Sequence, residues 1–364
     1  MDAYQKLALL SDFSDLEPAE ETRLGTSPII PACSAATPIY HAALPGGKKI
    51  KLLKSMLTSM CERDCFYCPF RVGRDFQRQT VRPDDMSNLF INLVASQNAE
   101  GMFLSSGVAG GGIRTQDRLI DTAEILRLKK GFRGYLHLKI MPGAEREQVL
   151  RAMQLANRIS INLEAPNDHR LPSLAPHKVF LQELLKPLQW AEEIRRSESQ
   201  HLGWNGQWPS LATQFVVGGA GENDLELLTT SSYLLKRLHL SRIYYSAFRP
   251  IPNTPMEHQN AENPIRQDRL YQAFFLMRDY GFELEELPFT NQGNLPLEND
   301  PKLIWARINL SESPIEVNKA ELHQLLRIPG IGPQNAQKIL HARRRHPLHS
   351  LADLQALGDR KSVV

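Results

Sequence analysis

Six short apolar runs rich in β-branched and aromatic residues recur along the chain, at residues 50 to 57, 101 to 106, 134 to 141, 159 to 165, 212 to 218 and 242 to 248. Each is followed by a segment with helical apolar spacing. In 118 to 128, for example, Leu119, Ile120, Ala123, Leu126 and Leu128 lie mostly along one face. Segments 145 to 156, 179 to 194, 225 to 238 and 266 to 280 read the same way. Strand and helix alternating six times predict a parallel α/β sheet with right-handed crossovers, best fitted by an open six-unit (βα)6 barrel over residues 46 to 284.

Residues 1 to 45 precede this rhythm as an N-terminal extension, and residues 285 to 313 end it. There Pro288, Asn291, Gly293, Asn294, Pro296, Asn299 and Pro301 read as a linker. Residues 314 to 364 predict a small all-α domain. It has two short amphipathic helices joined by Pro329-Gly330-Ile331-Gly332, then a third apolar segment carrying Leu351, Leu354 and Leu357. Pro333 suits a first helical turn, where its missing N–H costs nothing.

With 364 residues, 42% of them apolar and 23% charged, the chain can bury one full-sized core and a smaller second one. No run of 18 apolar residues exists, and the first residues lack a basic stretch followed by an apolar one, so neither a membrane span nor a signal peptide is expected. Four cysteines are too few to staple a chain this long, and three of them fall within eight residues. That distribution indicates metal chemistry in a reducing compartment and an expected cytoplasmic location.

The net charge of +3 is unevenly spread. Residues 319 to 364 hold eight Lys and Arg against three acids, +5, while the rest of the chain holds 35 against 37, or −2. A basic terminal module on a near-neutral body suggests a polyanionic partner, although a solvated tail has the same charge.

The three clustered cysteines, Cys61, Cys65 and Cys68, have the spacing C-x3-C-x2-C, with Tyr67 directly before the last. Three thiolates on one tight loop can bind three irons of a cubane and leave the fourth iron open to a substrate or cofactor. A structural zinc site is the alternative, but it needs four closed ligands, and the fourth would have to come from Cys33 or His41.

The octet from Cys61 to Cys68 resembles the cluster loop of the radical S-adenosylmethionine (radical SAM) superfamily. The resemblance implies a [4Fe-4S] cluster whose open iron is chelated by the methionine end of SAM. It also implies one-electron cleavage of the sulfonium to a 5′-deoxyadenosyl radical that abstracts hydrogen, with the electron supplied by a donor such as flavodoxin or ferredoxin. In this family's terms, Ser105, Ser106 and Gly107 match the segment that receives the SAM amino group, with Ser105 and Gly107 departing from the usual residues. Asn162 or Glu164 matches the ribose ligands. The stretch from Val217 through Gly219 to Glu222 is similar to the adenine-contacting segment; Lys139, which alternates toward the barrel interior or rim, reads either as a partner of the SAM carboxylate or a substrate phosphate or as a lysine whose stem covers apolar surface. These positions all fall at the C-terminal ends of predicted strands, where βα barrels gather their chemistry. The run Gly110-Gly111-Gly112 lacks the Gly-Lys-Ser/Thr ending of a nucleotide loop. Arg71, Arg74, Arg78 and Arg82 read either as phosphate-facing residues at the site's mouth or as a solvated loop.

The segment Leu326 to Pro333 resembles a helix-hairpin-helix motif. Gly330 and Gly332 let the backbone approach a phosphate, which the free N–H groups of the second helix can hold, and Lys338, Arg343 and Arg344 add charge. Such contacts position a duplex without reading its bases. A protein-docking helical pair is the other reading. Over most of its length the chain is similar to the radical SAM group labelled putative DNA modification or repair proteins. That similarity implies hydrogen abstraction from a nucleic-acid base or sugar, with DNA expected ahead of RNA. A non-catalytic, metal-stabilised DNA-binding protein is the alternative of another class. Cys33, in a Cys-Ser pair that also resembles the family's, is a candidate hydrogen donor to a substrate radical, or an inert thiol.

Overall fold

A computed structural model describes residues 3–11, 39–43 and 49–357. In chain order the first elements are α1 (Ala3–Ser11), β1 (Ile39–Ala43), β2 (Lys49–Met56), α2 (Pro83–Ala95), β3 (Gly101–Ser105), α3 (Gly112–Glu124), β4 (Tyr135–Lys139), α4 (Arg146–Leu155) and β5 (Arg158–Ser160). They continue with α5 (Lys186–Ser197), β6 (Ser210–Val217), α6 (Asp224–Leu238), β7 (Arg242–Ala247), α7 (Pro264–Asp279) and α8 (Pro301–Asn309). The last three are α9 (Leu322–Leu325), α10 (Pro333–Ala342) and α11 (Leu351–Ala356). No helix among the described residues is long and apolar enough to cross a membrane.

The chain divides into two compact units, residues 1–222 with 236–262 and residues 223–235 with 263–364. The first holds one open seven-stranded mixed sheet in the order β1 to β7. Strands β2 to β7 are parallel, as the six apolar runs predict, and each strand neighbours the next in sequence. Their density of apolar residues follows from burial on both faces: β3 is buried throughout, and seven of the eight residues of β6 are buried.

Helices α1, α2 and α8 and strand β1 were not expected. Strand β1, inside the segment read as an extension, pairs antiparallel with β2 from Ile39 opposite Leu53 to Ala43 opposite Lys49. Helix α2 follows the cysteine loop; Pro83 opens it, Asp84 and Asp85 sit in its first turn, and Met86, Leu89, Phe90 and Leu93 are buried. The expected helix over 179 to 194 begins as a π-helical turn, Phe180–Leu185, and becomes α-helical at Lys186–Ser197. Pro187 has no N–H for a regular bond back to residue 183, and the widened turn lies just before it.

In the second unit, α9, α10 and the turn between them bury Leu325, Leu326, Ile328, Ile331, Ala336 and Ile339, with Tyr280 packed against this cluster. The segment read as a linker carries α8, capped by Asp300, whose side chain accepts from the Lys302 and Leu303 N–H groups. The Leu295 N–H donates to the fully buried Asp224 at 2.8 Å, and Arg266 pairs with the same carboxylate at 2.7 Å. Residues 285 to 313 thus contribute packed structure to this unit.

Candidate functional site

A parallel sheet brings the C-terminal ends of its strands to one edge. The loop after β2 carries the three cysteines. Along the same edge, β3 ends at Ser105, β4 at Lys139, β5 runs into Asn162 and Glu164, and β6 ends at Val217.

The cysteine loop has a closed stem. Thr58 bridges Thr80 in antiparallel fashion, their hydroxyls 2.6 Å apart, and the Val81 N–H donates to the Leu57 carbonyl at 2.8 Å. Within the loop, the Glu62 N–H donates to Val108 O at 2.8 Å and the Phe66 N–H to Leu174 O at 2.7 Å. The Glu62 carboxylate accepts from the Gly110 and Gly111 N–H groups, both at 3.1 Å. That explains the glycine run: Gly110 and Gly111 sit at φ 78° and 91°, where a side chain is strained, and their donors hold the cysteine loop and the β3 loop together. Gly107 passes directly under the loop, close to Met60 and the Cys61 Cβ.

Cys65 is buried, and Cys61 and Cys68 are half-buried. Burial pushes the Cys65 thiol up, an effect opposed by Lys178, and pushes the Cys68 thiol well up, reinforced by Cys65. Each of these two thiols also feels Cys61, so the three are electrostatic neighbours. Among the described residues no three His, Cys, Asp or Glu side chains are placed to hold a single metal ion. Three thiolates on one loop could each bind one iron of a cubane. Zinc instead asks for four donors converging on one point.

Glu164 lies beside this loop. Its φ of 67° is unusual for a residue with a side chain, and it is held by backbone bonds on both sides, from its own N–H to Gln214 O and from the Val216 N–H to its carbonyl. Its Oε1 accepts from Lys178 Nζ at 3.1 Å. The Lys178 side chain is 9% exposed; burial favours its neutral form, but the neighbouring Cys65 and Glu164 outweigh this and hold it charged. Burial, then the Glu164 carboxylate, pushes the Tyr67 phenol well above its ordinary range. The Glu164 carboxylate is thus shared by the Lys178 ammonium and the Tyr67 phenol beside the three thiols.

The other expected residues are distributed along the same edge. The Lys139 ammonium donates to Asn162 Oδ1. Ser105 and Ser106 are buried, and the Ser106 hydroxyl donates to Gly107 O at 2.8 Å. Val217 is wholly buried in β6, and Gly219 abuts Leu174 and Phe248. Cys33 lies outside the described residues. The four arginines after the cysteines are mostly engaged with the protein. Arg71 donates to Asp64 O, Arg74 to Pro69 O and Pro252 O, Arg78 to four carbonyls, and exposed Arg82 pairs with Asp85.

Lys178 was not expected. It stands fourteen residues after Glu164 in sequence, in a polar loop without periodicity, so no pattern announces their pairing. That loop and the π-helical turn after it are tied to the cysteine segment: His177 pairs with Asp64 at 2.6 Å and Glu183 with Arg63 at 2.5 Å.

In the second unit, Gly330 takes φ 85° in the turn and Gly332 caps α10. Lys338, whose ammonium donates to Leu357 O at 3.2 Å, and Arg344 are exposed on or just after α10. Arg343 is partly committed inward, donating to Val317 O at 2.7 Å and Ala320 O at 2.6 Å. Arg327 lies over the Phe282 ring at 3.7 Å and pairs with Glu286, so its charge is internally balanced.

No family model matches the chain, and no curated protein matches it. It is similar to solved structures, among them HydG, a maturase of the [FeFe]-hydrogenase, at 12% identity and a TM-score of 0.49, covering 62% of this chain and 49% of that one. Methylornithine synthase (PylB) is 12% identical with a TM-score of 0.49, covering 63% of this chain and 62% of that one. A radical SAM methyltransferase from Sphaerobacter thermophilus is 12% identical with a TM-score of 0.45, covering 65% of this chain and 69% of that one. The chain thus spans about half the length of the hydrogenase maturase. Likeness at this level assigns neither family nor reaction.

Proposed function

We propose that the chain is a radical SAM enzyme acting on nucleic acid, with DNA the preferred substrate. The observation that carries the first part is three thiols on one loop beside the buried Glu164 carboxylate and its Lys178 partner. Cys61, Cys65 and Cys68 would hold a [4Fe-4S] cluster at three irons. When bound, the cluster and SAM would supply a carbon-centred radical able to abstract hydrogen.

The chain's own part is binding and orientation. Glu164 offers a buried acceptor for a ribose hydroxyl or an ammonium, and Lys178 a buried cation for a carboxylate. Lys139 and Asn162 offer a paired donor and acceptor on the neighbouring strand ends. Leu174 O holds the loop backbone between Cys65 and Tyr67 by accepting from the Phe66 N–H.

The nucleic-acid part rests on the +5 tail and on the turn at Gly330 and Gly332 with exposed Lys338 and Arg344. A target base inside a duplex is inaccessible, so a flipped, damaged or single-stranded nucleotide is the expected substrate. The test is anaerobic reconstitution with iron and sulfide, incubation with SAM, dithionite and nucleic acid, and mass analysis of the nucleosides. A new nucleoside from DNA supports the proposal. One from RNA alone moves the substrate to RNA, and absence of both with intact SAM cleavage removes nucleic acid as substrate.

A further inference from the structure

We propose that Arg78 is the positioning residue of the cysteine loop, fixing its shape in the protein before any metal is loaded. The inference rests on the cluster reading only for its consequence for iron; the role in the loop stands on the loop's own geometry.

One planar guanidinium spans both ends of the cysteine segment. Its Nη1 donates to Ser59 O at 2.9 Å and Phe70 O at 3.0 Å, and its Nη2 donates to Arg71 O at 2.7 Å and Arg74 O at 3.2 Å. Ser59 lies two residues before the first cysteine, and Phe70 and Arg71 lie two and three after the last. The Phe76 ring lies 4.4 Å from the same guanidinium, a cation–π contact that orients its plane. Directly below, the stem is closed by the Ser59 N–H on Gln79 O at 3.0 Å and by the Gln79 N–H on Ser59 Oγ at 2.9 Å.

Loop backbone must satisfy its carbonyls with something, and here no strand or helix does it. Arg78 gathers four of them with charge-assisted bonds, a task that suits a planar fork with five donors. A lysine has three donors on a point charge and cannot span the same four carbonyls. The segment that brings three mutually repelling thiolates together is therefore closed by a residue that is itself no ligand. This is how outer partners set the geometry of a metal site.

The test uses the full chain, metal-free, as wild type, Arg78→Met, Arg78→Lys and the exposed-charge control Arg82→Gln, followed by amide hydrogen exchange. In the wild type the amides of Ser59, Glu62, Phe66 and Val72, all hydrogen-bonded, should exchange slowly. In both Arg78 variants they should exchange roughly tenfold faster or more, while β3 and β6 keep their protection and Arg82→Gln matches wild type. Equal protection of the loop in wild type and Arg78→Lys overturns the inference, and so does loss that spreads equally through the sheet. Iron is the second readout. After anaerobic reconstitution, the Arg78 variants should release iron to a chelator on the order of 10-fold faster than wild type. A wild type that takes up no iron, with the exchange contrast intact, sinks the cluster reading and leaves Arg78 in its role.

Discussion

A Cβ built on Gly107 would lie 2.2 Å from the carbonyl oxygen of Met60 and 3.2 Å from the Cβ of Cys61. Only glycine permits the end of β3 to run this close beneath the cysteine loop, and the Gly107 N–H uses the closeness to donate to Thr58 O at 2.8 Å. Gly107→Ala must therefore push the loop and β3 apart. The expected cost is about 1–3 kcal/mol, as for other overpacked sites. In denaturant melts the variant should be destabilised by that amount, and after reconstitution it should hold much less iron than wild type. A Gly107→Ala protein with wild-type stability and iron content would show that the two segments move apart freely.

Lys302, on α8, is buried, donates to Ile331 O at 2.6 Å and lies 4.5 Å from the Tyr280 ring centre. Burial lowers its pKa to about 8, with Asp300 opposing and Arg327 adding to the shift. The unfolded chain keeps this proton up to about pH 10.4. Between those values the unfolded state binds more protons than the folded one, so stability gained from this group rises with pH. Below pH 8 both states are protonated and the term is flat. The stability difference between wild type and Lys302→Met should therefore shift in favour of wild type as pH rises from 8 to 10, measured by urea melts across that range. Taking the difference cancels other groups that titrate there, such as Arg127, lowered to about 10 by burial. A difference that does not change with pH would mean Lys302 titrates normally.

Nucleic-acid binding is expected to depend on the exposed Lys338 and Arg344 more than on Arg343, whose guanidinium is held inward by two carbonyls. Lys338→Glu with Arg344→Glu should weaken DNA binding at least about tenfold at moderate salt and flatten its salt dependence, because fewer phosphate contacts release fewer counterions. Arg343→Ala should mainly destabilise the second unit, since it leaves the Val317 and Ala320 carbonyls without their shared donor. Fluorescence anisotropy over a salt series measures the first effect and thermal melting the second. Unchanged affinity in the double variant would place the nucleic-acid contact elsewhere.

The parallel strands were legible because they are mostly covered on both faces, which concentrates apolar residues into runs that stand out from polar helices. The cysteine octet was legible because metal ligation demands particular side chains at fixed spacing. Helix α2 carried its signals, Pro83 followed by two aspartates and buried Met86, Leu89, Phe90 and Leu93, but they were obscured by the irregular loop before it. Arg78 looked like one of four similar arginines, because its partners are backbone carbonyls, which have no sequence signature. Arg343 had the same ambiguity in the other direction. The pairing of Glu164 with Lys178 depends on how a polar loop folds back over the sheet edge, and no local periodicity encodes that.

Cys61, Cys65 and Cys68 are proposed to hold a [4Fe-4S] cluster that cleaves SAM. The most direct measurement is iron, sulfide and zinc content of anaerobically reconstituted protein, together with 5′-deoxyadenosine formed from SAM under dithionite. About four irons per chain are expected, with 5′-deoxyadenosine produced by wild type and neither result in Cys65→Ala. Stoichiometric zinc without iron, or a Cys65→Ala variant that behaves as wild type, would contradict it.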